Sequence, residues 1–141
     1  MQHFKWTKAH PVYLPQVDAE HRNLFQMAEE LHQAVRTGLE AARVLELVRP
    51  FVTAIEEHFA HEERVMKTAA CPDFAWHKQQ HDNARKRAVN FLKDIEAGNS
   101  EAPMAFLEYV AKWFKDHMAL TDRMMGAHVR NYERLHAKAA S

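Results

Sequence analysis

The chain has 141 residues, and its 19 basic side chains balance 19 acidic ones, so the formal net charge is zero with all 11 histidines neutral. That length suits one domain with a substantial core, and the balance excludes the basic surface that nucleic acid or an anionic membrane demands. No apolar run approaches the roughly 20 residues of a membrane helix, the opening MQHFKWTKAHPVYLP lacks a secretory signal's apolar core, and the lone Cys71 excludes an intramolecular disulfide framework. With three glycines and five prolines among many Ala, Leu, Glu, Lys, Arg and Gln, helix is favoured throughout. The expectation is a soluble, cytoplasmic, all-α domain.

Residues 1–17 carry prolines at Pro11 and Pro15 and the aromatic Phe4 and Trp6. They read as an extended arm whose rings pack across the domain. A first helix, 18–37, begins at Asp18 as N-cap and stops at Gly38; its inward stripe is His21, Leu24, Ala28, Leu31 and Val35. A second, 40–68, carries Val44, Val48, Phe51, Ile55, His58, Glu62 and Val65 at spacings of three and four, as a buried face requires. Pro50 interrupts it, but the stripe keeps phase on both sides, which predicts one kinked helix. The third, 73–97, places Phe74, His77, His81, Ala84, Ala88, Phe91 and Ile95 inward. The fourth, 101–125, opens with Pro103 in its first turn and places Phe106, Val110, Trp113, His117, Leu120 or Thr121, and Met124 inward. Gly126 is read as its end or as a weakening of it, and 126–141 as a tail able to form a further short helix. Four helices with short connections predict an up-down-up-down bundle with an extended N-terminal arm.

Each polar motif is weak alone. With this many histidines, about one H-x-x-x-H pair is expected by chance. Placement changes the weight: His21, His58, Glu62, His77, His81 and His117 all share the phase of their own helix's apolar stripe. Burying a neutral polar group unpaired costs roughly 2–7 kcal/mol, so several in one core require each other or a metal. His58 and Glu62, and His77 and His81, are each one turn apart on one face. Asp122 is the awkward member. Five residues beyond His117 it lies about 140° around an ideal helix, so for it to join either the fourth helix is locally underwound or the carboxylate approaches from the flank, and a π-bulge near 117–122 is a natural solution. Imidazole and carboxylate donors facing inward from several helices build two-metal sites, and they suit iron where no thiolate is offered.

The stretches VDAEHRNLF, HFAHEERVM, CPDFAWHKQQH and WFKDHMALTD, with Trp6 ahead of them, resemble the hemerythrins, and most of all single-domain bacterial members. The resemblance spans about residues 4–125. It implies two iron ions with a bridging oxo or hydroxo group and dioxygen as a reversible ligand. It also implies that His77, His81 and His117 bind one iron, that His21 and His58 bind the other, and that Glu62 and Asp122 bridge them. The iron with two histidines would keep an open position. The chain departs from the family pattern at YLPQ (13–16), where a glycine-containing approach to the first helix is usual. It departs again at Phe114, where a smaller aliphatic residue commonly lines the oxygen pocket, and at Cys71, an often aromatic position read here as a plain loop residue.

The remaining histidines carry less. His61 sits on the flank of the second helix, and His3, His10, His32, His128 and His136 share no phase with the set and read as surface residues. Trp76 and Trp113 read as packing beside the site, Tyr109 as within reach of the pocket, and Glu63 as a minor outer contributor. Gln80 and Glu108 are the candidates to accept the outer N–H groups of bound imidazoles. The leading function is storage, delivery or scavenging of dioxygen without net chemistry. The alternatives are an oxygen- or redox-sensing regulatory module and a di-iron oxidase or peroxidase.

Overall fold

The computed structural model describes residues 3–140, with side chains to residue 137. It is all helix: α1 (Pro15–Arg36), α2 (Ala41–Thr68), α3 (Phe74–Glu96), α4 (Ala102–Trp113) and α5 (Asp122–Ala140), with a π-helical segment, Phe114–Thr121, joining α4 to α5 in one continuous rod. Neighbours pack in sequence and α4 closes back on α1, giving a four-helix bundle. No described helix is long and apolar enough to cross a membrane.

The helix ends follow local chemistry. Gly38 takes φ +78 beyond α1, and Leu39 N returns to Ala34 O at 2.9 Å, an αL stop that only glycine adopts cheaply. Pro50 lies inside α2 without ending it. Pro50 and Glu46, the residue whose carbonyl it deprives of a partner, are both exposed, so the lost bond lies on the outer face of the helix.

Three expectations about the ends need correction. Asp18 is not the N-cap. The helix starts at Pro15, whose fixed φ suits a first turn, and the Asp18 carboxylate instead accepts Val12 N at 2.8 Å and Tyr13 N at 3.0 Å, pinning the arm. Gly126 does not end the fourth rod. It is buried inside α5, where a Cβ would lie 2.6 Å from Val12 O, so glycine is there to let the arm approach. Residues 126–140 are therefore helix continuous with the bundle, not a separate tail.

The core has two parts. The larger joins Leu24, Phe25, Leu31, Val48, Phe51, Phe106, Val110 and Phe114 with Phe4 of the arm. The smaller, at the other end, joins Val12, Leu14 and Val17 to Met66, Met125 and Val129 and takes in Cys71, which is thus a packed residue and not a plain loop position. Between them lies a layer of polar side chains.

Candidate metal centre

That layer holds His21 from α1, His58 and Glu62 from α2, His77 and His81 from α3, His117 from the π segment and Asp122 from the start of α5, every one buried. The structure brings together all seven residues singled out above. Their donor atoms form two groups, Glu62, His77, His81, His117 and Asp122, and His21, His58, Glu62 and Asp122, with ligand atoms within 4.8 Å of one another in each. Both carboxylates belong to both groups.

The π segment is what admits Asp122. Its i→i+5 bonding widens the turn, so residues five apart come round toward one face, and His117 Nε2 and Asp122 Oδ1 end 2.9 Å apart. The same widening sets the inward face beyond it, bearing out Thr121 over the alternative Leu120 and correcting Met124. Leu120 and Met124 are 65% and 63% exposed, while Thr121 and Met125 are buried. A stripe read at 3.6 residues per turn falls out of register after one inserted position.

Each carboxylate divides its oxygens between the two groups. Glu62 Oε2 lies 2.9 Å from His58 Nε2 and 3.2 Å from His21 Nε2. Its Oε1 lies 3.2 Å from His81 Nε2 and 3.3 Å from His77 Nε2. Asp122 does the same, with Oδ2 3.2 Å from His21 Nε2 and Oδ1 3.0 Å from His77 Nε2. Apart from the hydrogen bond between His21 Nε2 and Glu62 Oε2, most of these approaches are close but poorly aligned. Glu62 Oε1, both Asp122 oxygens and His81 Nε2 make no hydrogen bond although fully buried. Buried acceptors without aligned donors are costly, and here they face a common interior from several sides. A hard or borderline cation satisfies such oxygen and nitrogen lone pairs, so the donor set fits a metal pair.

Without metal the cluster is an ion-pair network. Burial opposes charge on His21, His58, Glu62, His77, His117 and Asp122. At His58 the Glu62 and Glu20 carboxylates more than offset burial and lift the imidazole to about 10. At His77 Asp122 and Glu62 overcome it and lift the ring to about 9. His21 is raised against burial by the same two carboxylates. Against their own burial, Glu62 is held well below the carboxylate range by His58, His21 and His77, and Asp122 is lowered by His117 and His21. Burial wins at His117, which is lowered.

The family model of the Hemerythrin HHE cation binding domain matches residues 13–129. The chain belongs to the hemerythrin family. Over 111 residues it is 29% identical to a bacteriohemerythrin of Methylococcus capsulatus, covering 77% of this chain and 82% of that protein. A myohemerythrin of Theromyzon tessulatum is 27% identical over 119 residues, 84% of this chain and 88% of its own. The fold matches the crystal structure of a hemerythrin variant with a TM-score of 0.85 at 25% identity, covering 92% of this chain and 98% of that one.

Around this hemerythrin cluster the outer ring nitrogens are anchored unequally. His117 Nδ1 meets Gln80 Oε1 at 2.7 Å, as expected. His81 Nδ1 meets Glu63 Oε2 at 2.8 Å and His58 Nδ1 meets Glu20 Oε1 at 2.7 Å. Glu108, the other expected partner, is exposed, and the role falls to Glu63, read above as only a minor outer contributor, and to Glu20, which alone sequence reasoning missed. Glu20 precedes His21 in VDAEHRNLF, a placement that could have signalled it. Its second oxygen lies 2.7 Å from Nδ1 of the half-buried His61. Trp113 stacks on His117 with centroids 3.9 Å apart, but Trp76 is 53% exposed and does not pack beside the site. Among the histidines read as surface residues, His10, His32 and His128 are half-buried. His10 packs on Phe25 at 4.8 Å, and burial lowers its pKa.

Proposed function

We propose that this chain binds dioxygen reversibly at two iron ions. In this reading His77, His81 and His117 hold one iron, His21 and His58 hold the other, and Glu62 and Asp122 span both. The observation that carries it is the division of each carboxylate's oxygens between the two histidine groups. Hemerythrin relatives and a buried His/Glu/Asp cluster support the same conclusion. A reduced iron pair supplies the electrons that reversible dioxygen binding draws on.

The chain's own residues set the conditions. Glu20, Glu63 and Gln80 take the outer N–H groups of His58, His81 and His117, fixing which nitrogen faces the centre. The two-histidine side offers one nitrogen fewer, which leaves room for a ligand. Phe59, which stacks on His81, and Trp113 also line a cavity of about 20 Å³ with Leu24, Phe114 and Met118. That volume holds about one water-sized molecule. Phe114 forms one wall, stacked on Phe25 at 4.6 Å and edge-on to Phe4 of the arm at 5.7 Å, which keeps bulk water from this side.

The test is to load the chain with ferrous iron under argon, count iron per chain, then alternate oxygen and argon while recording the visible spectrum. Two irons and a band that appears and disappears with the gas support the reading. One metal or none ends it, and sustained consumption of a reductant favours the enzyme.

A further inference from the structure

His81 is held from two sides, and both supports lead to the same residue. Its Nδ1 meets Glu63 Oε2 at 2.8 Å. Its ring stacks on Phe59, with centroids 4.2 Å apart and 7° between the planes. Arg85, one turn further along α3, donates from Nη1 to that same Glu63 oxygen at 2.8 Å. Its guanidinium carbon also lies 5.4 Å from the Phe59 ring centroid, on the ring face that arginine cations favour. Arg85 is itself held: Nε donates to Glu56 at 2.6 Å and Nη1 to Asp82 at 2.8 Å, and Lys78 fixes Asp82 at 2.8 Å. The planar guanidinium fork, with several donors in fixed directions, suits Arg85 to meet three carboxylates and an aromatic face at once.

We propose that Arg85 is a positioning residue for the three-histidine side of the centre, setting the ring plane and hydrogen bond of His81 through Glu63 and Phe59 together. The proposal rests on the metal-pair reading above. The other anchored rings are supported differently. His117 leans on the neutral Gln80, and the Glu20 that supports His58 meets His61 with its second oxygen. Glu63 reaches the protein's edge, and Arg85 is the cation that keeps its carboxylate turned inward. Without Arg85, water competes for Glu63, Phe59 loses its outer cover, and His81 is free to tilt away from its metal. Loss of such an outer partner typically weakens metal binding by about 10- to 100-fold.

Zinc, which has no redox chemistry, separates this effect from oxygen binding. The full chain is loaded with zinc, and release into excess chromophoric chelator is followed by stopped flow. The wild type should release two ions per chain. Arg85→Gln should speed one of the two release steps by about 10- to 100-fold and leave the other unchanged. Glu63→Gln should speed the same step, Glu20→Gln the other, and Arg85→Lys should recover at least part of the loss. Thermal midpoints recorded on each zinc-free variant separate this selective effect from general destabilisation. Should Arg85→Gln fail to fold, Glu63→Gln and Arg85→Lys carry the test alone. Unchanged release from the Arg85 and Glu63 variants, or equal acceleration of both steps, overturns the proposal while leaving the metal pair intact. Fewer than two zinc ions from the wild type overturns the metal-pair reading and this inference with it.

Discussion

On the three-histidine flank, His81 and His117 are each stacked against an aromatic ring and each anchored at Nδ1, by Glu63 and Gln80. On the two-histidine flank, His58 has Glu20, but His21 Nδ1 has no hydrogen-bond partner among the described residues. Glu20, His58 and His61 there line an open groove of about 650 Å³. Two of the three rings on the first flank are both stacked and anchored, with His77 neither stacked on an aromatic side chain nor bonded at Nδ1 among the described residues, whereas neither ring of the second flank is stacked that way and that flank lies beside the groove. A centre that must keep its metals and yet exchange a small ligand gains from that division, because bracing both flanks would also freeze the ligand position.

The largest change to this comparison comes from removing a residue that both flanks share. Glu62→Gln leaves His58 and His77 without their common counter-charge and removes one of the two spanning carboxylates. Metal analysis should fall from two ions per chain to one or none. The metal-free variant should also lose about 3–5 kcal/mol in urea denaturation, the usual cost of breaking a buried ion pair.

The pH response comes next. His58 and His77, one on each flank, are raised from 6.5 to about 10 and about 9. A raised imidazole contributes stability that is complete below its unfolded pKa and lost as pH rises through the folded value. The metal-free protein should therefore lose a few kcal/mol between pH 6.5 and 10, read as a falling urea midpoint. Metal binding must displace the same protons, so zinc affinity should rise across that window, and the loaded protein's stability should stay nearly flat. A metal-free midpoint that does not fall would deny the ion-pair network on both flanks.

Glu20→Gln removes charge from the weaker flank without changing its shape. Zinc affinity there should drop by about tenfold, the lower end for an outer partner, with the other site unaffected. Equal losses at both sites would erase the distinction between flanks. The smallest effect is expected at Phe114→Leu. Replacing the ring with a shorter side chain enlarges the cavity beside the centre, so oxygen on- and off-rates and autoxidation should each rise by about a few-fold, on the order of 1 kcal/mol in barrier. Unchanged rates would remove Phe114 from the ligand's path.

How much could be read before folding depended on distance along the chain. The stripes of the first three helices follow regular 3.6-residue phase, so His21, His58, Glu62, His77 and His81 were legible as a set, and Asp122 could be joined to His117 by a local underwinding or by an approach from the flank, of which the structure contains the first as a π turn. The exposure of Leu120 and Met124 was not legible, since the π segment's effect on phase shows only in three dimensions. Gly126 and Asp18 carry ordinary helix-end signals, yet both serve the arm, through a backbone approach and a pair of amide hydrogen bonds. The outer carboxylates were hard to see for a related reason. Glu20 finds His58 across 38 residues and Glu63 finds His81 across 18, and local periodicity does not report such pairings.

The most direct test of the shared-carboxylate centre is a crystal structure of the iron-loaded protein with anomalous differences measured at the iron edge. Two peaks are predicted, one reached by His77, His81 and His117 and the other by His21 and His58, with Glu62 and Asp122 touching both. A single peak, or two peaks that share neither carboxylate, would contradict the account.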